Sequence, residues 1–173
     1  MADVYTFGNA EILVADVLET GLMPEISTMT KIGEVLEDSA SLTQEEGDKT
    51  EIFEEGNPDP KVIIEKPGSI TIAFNIMNAD PKMLSDYLGG TVGVTSKEWE
   101  FDGKKKSVQK ALFIKPQQGL YFKFPKAAIS AVIAGDLNQS GLLTLNFTAK
   151  PLSPGAGMKS VLAGKVSDLV PAG

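Results

Sequence analysis

Alternation of apolar and polar residues is the dominant pattern along the chain. It is clearest over residues 69–77, where Ile70, Ile72, Phe74 and Ile76 share one face and Thr71, Ala73 and Asn75 take the other. Period two sets successive side chains on opposite sides of a pleated strand, so this segment predicts a strand with one buried face. The same alternation marks residues 11–16 (Ile12, Val14), 61–66 (Val62, Ile64), 98–101 (Trp99, Phe101) and 111–115 (Leu112, Ile114). It continues through residues 119–124 (Leu120, Phe122, Phe124), 128–134 (Ile129, Ile133) and 142–149 (Leu143, Leu145, Phe147). Gly, Pro and Asn punctuate these runs, as at Asn57-Pro58, Pro67-Gly68 and Gly135-Asp136. Short, evenly spaced strands with such turns predict an all-β, antiparallel sandwich or barrel.

One segment departs from the alternation. Residues 80–88 open with Asp80 as a cap and Pro81 at the first helical position, and Gly89-Gly90 follows as a stop, which predicts a short flanking α-helix. Met83, Leu84, Tyr87 and Leu88 fall on one side of it and should cover the sheet. The chain length suits a single domain, divided into an N-terminal strand and loop arm (1–33), a sandwich core with hairpin and helix (34–152) and a Gly, Pro and Ala-rich tail (153–173). Residues 18–32 read as loop. In the tail, Met158, Val161, Leu162 and Val166 have helical spacing, leaving open a docked helix, an arm that orders on assembly or a disordered end.

Composition narrows the function. The 173 residues include no His and no Cys, which removes the usual metal ligands, thiol nucleophiles, Ser-His-Asp triads and disulfides. No cofactor, metal site or catalytic residue is therefore expected, and the chain is read as a non-enzyme. A net charge of −7 opposes general affinity for nucleic acid phosphates. No signal peptide is legible at the N-terminus, and no apolar run approaches the roughly 20 residues that a membrane-spanning helix needs. The expected location is the cytoplasm in which the chain is made, with no membrane partner. Residues 136–141 begin like a calcium loop, but Phe147 stands where the closing Glu belongs, so a β-turn is expected there.

The acid is concentrated. Residues 34–65 hold 11 of the 23 Asp and Glu, against two basic residues, Lys49 and Lys61. Within them, residues 41–46 and 49–55 read as two strands joined at a tight Gly47-Asp48 turn, a projecting acidic β-hairpin at about 41–55 that is poor in apolar residues. Such a hairpin is either solvated surface or a wall that repels other negative charge within an assembly. Lys104-Lys105-Lys106 is the one basic run; it fits solvation or edge protection, or pairing with an acidic patch on a neighbouring copy.

The order of these features over residues 39–154 resembles the phage major tail tube proteins of long-tailed phages and prophages. The likeness is carried by the acidic hairpin ending in Gly56-Asn57-Pro58, the strand at 69–78, the helix closing on Leu88-Gly89-Gly90, the late strands at 111–134 and the final strand at 142–152. It implies a structural subunit of a virion tail that self-assembles into hexameric rings, whose hairpins join into a β-barrel around a lumen. The rings stack into a conduit through which DNA passes without specific binding, and related tubes occur in contractile injection machines and type VI secretion. Tape-measure, tail-terminator and baseplate proteins are the further partners it implies. Under the resemblance Glu45, Glu46, Asp48, Glu51, Glu54 and Glu55 are the charges expected near the lumen or ring interface. The alternative is a non-catalytic β-sandwich that binds a ligand or carbohydrate, with Trp99 or Tyr121 as the stacking residue.

Overall fold

A computed structural model describes residues 3–169, so Met1, Ala2 and the last residues of the tail, 170–173, lie outside the described residues. The strands are β1 (Glu11–Asp16), β2 (Thr30–Lys31), β3 (Ser41–Gln44), β4 (Lys49–Phe53), β5 (Pro60–Glu65), β6 (Ile70–Ile76), β7 (Thr91–Val92), β8 (Trp99–Glu100), β9 (Val108–Lys115), β10 (Leu120–Ala134), β11 (Thr144–Pro151) and β12 (Leu162–Lys165). One helix, α1 (Pro81–Leu88), follows β6. The fold is all-β and antiparallel with one flanking helix, as the alternation predicts. The main sheet runs β2-β1-β9-β10-β11-β6-β3, with β12 added beside β10.

Strand β10 organises this sheet. The sequence suggests two strands here; the structure has one of 15 residues with a register shift between Phe124 and Ala127. Pro125 has no N–H to give to a ladder, and the irregularity bends the strand instead of ending it. Its first part pairs with β9 and β12, its second with β11 and the start of β9. Residues of β1 and β6, separated in the sheet by three strands, meet in one core cluster with Phe124 and Phe147, so the sheet folds over on itself.

Phe74 stacks on Phe147 at 5.1 Å, and Tyr87 of α1 meets Phe147 edge-on at 5.0 Å. The helix starts where predicted, because the Asp80 carboxylate accepts a 2.8 Å hydrogen bond from the Met83 N–H and Pro81 needs no acceptor. Met83, Leu84 and Leu88 pack with Tyr87 against the core.

A second cluster explains why Ala111 and Phe113 are buried as fully as Leu112 and Ile114. Met29, Met23 and Ile26, from the segment expected to be an arm, cover the far face of β9. Rather than standing off, residues 18–32 fold onto their own sheet through the 3₁₀ turn Ile26–Thr28 and strand β2, which pairs with β1. The tail does likewise. Its helical spacing is overridden: Leu162–Lys165 pairs with Leu120–Lys123, since an open strand edge offers hydrogen bonds that an isolated short helix lacks.

Candidate functional site: the acidic ribbon and the open sheet edges

The expected hairpin is present but displaced along the chain. Strands β3 and β4 do not pair with each other; β3 lies on β6 and β4 on β5. Both pairs keep one register, with Ser41 opposite Ala73, Gln44 opposite Ile70, Lys49 opposite Glu65 and Ile52 opposite Val62. The ladder continues between them, as Glu45 N–H donates to Ser69 O at 3.0 Å and Lys66 N–H to Asp48 O at 2.9 Å. Residues 41–76 therefore form one long hairpin. Its tip is at Glu54–Asp59, where Asn57 N–H donates to Glu54 O and Asp59 N–H to the Asn57 side chain.

Gly47-Asp48, expected to be the turn, is instead a crossing. A Cβ on Gly47 would lie 1.6 Å from Lys66 O, and one on Gly68 would lie 1.9 Å from Glu45 O. The two backbones approach so closely that only glycine fits on either side, and Pro67 has no N–H to pair. Beyond the crossing, β4 and β5 stand off the sandwich as a two-stranded ribbon about 20 Å long.

The ribbon is amphipathic, not apolar-poor. Lys49, Glu51, Ile63 and Glu65 share one face, on which Lys49 and Glu65 pair at 3.7 Å. Thr50, Ile52, Val62 and Ile64 share the other. Ile52, Phe53, Val62, Ile63 and Ile64 are 48%, 52%, 47%, 55% and 48% exposed, so the ribbon leaves its apolar side chains in water along its whole length. In sequence this face was hidden because half of it, Val62 and Ile64, comes from a strand on the far side of the tip.

The six expected charges are all exposed and are strung along the ribbon. Glu45 accepts a 2.9 Å hydrogen bond from Ser69 Oγ where the ladder leaves β3 and β6. Glu46 and Asp48 lie in the crossing segment. Glu54 accepts from Lys61 Nζ at 3.0 Å beside the tip, where Glu55 also stands. Glu65 belongs with this set and was missed. Its signal was its place at the end of an alternating run, opposite a lysine.

The sheet from which the ribbon grows has two open edges. On one side β3 is outermost. On the other, pairing of β9 with β10 stops at Val108 opposite Ile129, so Ser130–Ala134 have β11 on one side and no strand on the other. Between these edges run β10, β11, β6 and β3, each antiparallel to the next. Their core face carries Phe74 and Phe147. The opposite face carries Ser41, Thr43, Thr71, Asn75, Asn146, Thr148 and Ser130. At the end away from the ribbon, Val132, Ile133, Leu137, Leu142 and Leu143 are exposed.

Other features are self-contained. Trp99 donates its indole N–H to Gly89 O at 2.8 Å and stacks on Phe101, closing the turn after α1. Tyr121 packs against Phe113, with Lys123 over its ring. A cleft of about 170 Å³ among Phe7, Ala10, Leu42, Ile114 and Phe122 is lined by no ionisable side chain. Asn138 and Ser140 form a side-chain-capped turn through hydrogen bonds at 3.0 and 3.2 Å. No helix among the described residues is long and apolar enough to cross a membrane. No protein-family model matches the chain, and no curated protein matches it significantly.

Proposed function

We propose that this protein is a structural subunit that assembles with copies of itself into rings and a phage-like tail tube, a conduit for DNA in a virion tail. The observation that carries this reading is the ribbon β4–β5. It has two unpaired edges and an apolar face in water, a combination that invites another chain. Covering its half-exposed side chains is worth about 1 kcal/mol each.

The sheet edges support the same reading. Because β10, β11, β6 and β3 alternate in direction, β3 of one copy is antiparallel to the exposed part of β10 in the next. Edge-to-edge addition thus continues the ladder without a break, and such head-to-tail contacts make a ring when their rotation closes. The polar face of Ser, Thr and Asn, extended by Glu45, is the surface that would line the lumen. Hydroxyls and amides dominate this face, with Lys150 the lysine among them, so phosphates find little cationic hold and DNA slides. The ligand-binding alternative has less support, since Trp99 and Tyr121 already pack against neighbours within the chain. Sedimentation velocity over rising protein concentration tests the proposal. Species much larger than the monomer are expected, and a single monomer boundary at every concentration would oppose it.

A further inference from the structure

Lys104, Lys105 and Lys106 are exposed, and none of them pairs with an acidic side chain among the described residues. The loop is nevertheless placed. Lys104 N–H donates to the Asp102 carboxylate at 3.1 Å, and Lys105 Nζ donates to Ser130 Oγ at 2.9 Å. Ser130 is the first residue of β10 beyond its pairing with β9. The basic loop is thereby held at one open edge of the sheet, while Glu45, Glu46 and Asp48 continue directly from β3 at the other.

The registers fix how far apart these charges would be across a seam. Leu42, Ile72, Ala149 and Ile129 lie in one row across the sheet. Ile129 is already paired with Val108 on the β10 edge, so β3 of one copy can meet only the free stretch beyond it, with Ser41–Gln44 set antiparallel to Ala131–Ala134 of the next copy. Glu45 then falls opposite Ser130, roughly 5 Å away across the seam. An extended lysine and an extended glutamate span that distance together. We infer that Lys104–Lys106 of one copy pair with the acidic segment Glu45, Glu46 and Asp48 of its neighbour, setting the register of the lateral seam. This inference rests on the assembly proposed above. Opposite charge at the two edges also discourages two identical edges from meeting, which favours head-to-tail closure over dead-end pairs.

The test compares the wild-type chain, the triple reversal K104E/K105E/K106E, and a chain carrying both that reversal and E45K/E46K/D48K. Self-association is followed by sedimentation at low and high salt, with thermal unfolding to establish that each chain is folded. The lysine reversal is expected to raise the concentration for half-assembly about tenfold or more, and the combined reversal to bring it back towards wild type. Wild-type assembly should weaken with salt. Assembly of the lysine reversal at the wild-type concentration, or failure of the combined reversal to recover it, would overturn the pairing while leaving the tube reading standing. A wild-type chain that never associates would overturn both.

Discussion

Gly47 and Gly68 show how single residues set the placement of a whole element. Each lies where the opposing backbone carbonyl leaves no space for a Cβ, so the ribbon leaves the sandwich in the one direction that this contact permits. Gly68→Ala is expected to destabilise the fold by about 1–3 kcal/mol through that overlap, read by chemical denaturation, and to reduce self-association. Tyr87 makes a different residue-scale prediction. Burial, reinforced by the charges of Asp86 and Asp16, pushes its phenol up to about 12 from an ordinary 10.0. The fold therefore favours the neutral ring. Its contribution is fully present below the ordinary value and is lost as pH rises through the folded one, because the unfolded chain sheds its proton first. At most about 2–3 kcal/mol depends on this group. Tyr87→Phe keeps the contact with Phe147 and should flatten the loss of stability between about pH 10 and 12, measured against wild type by denaturant unfolding.

At the scale of elements, the ribbon should be separable from the core, since none of its apolar face takes part in the core clusters. Replacing Ile52, Val62 and Ile64 together by Thr preserves β-branching and is expected to leave the melting temperature within a few degrees of wild type while abolishing self-association. A large drop in melting temperature would instead assign the ribbon to the fold. Much of this scale was legible in the sequence. Asp80, Pro81 and Gly89 delimited α1 because caps act locally, and alternation placed β1 and β6 because one face of each meets the core. What escaped was non-local. The Gly47-Asp48 pair looks like a turn, and only the opposing Lys66 and Gly68 make it a crossing. Pro125 looks like a break between strands, and only pairing on both sides carries β10 through it. The helical spacing of the tail gave way to the free edge at Leu120–Lys123.

For the whole molecule, the acid that first argued only against nucleic-acid binding now has an address. It lies on a projecting ribbon and on one edge of a sheet whose other edge holds three lysines. The six expected charges were legible as a concentration of acid, but their division between a polar face, a crossing and a tip depended on register, which no single strand specifies. Two open, oppositely directed edges, an uncovered apolar ribbon and a polar sheet face are features that a monomer leaves unused and that the proposed closed ring of copies would employ. Electron microscopy of the concentrated wild-type protein, in negative stain, tests this most directly. Hollow rings or stacked tubes with a stain-filled centre are expected. Monomers alone, at every concentration and salt, would contradict it.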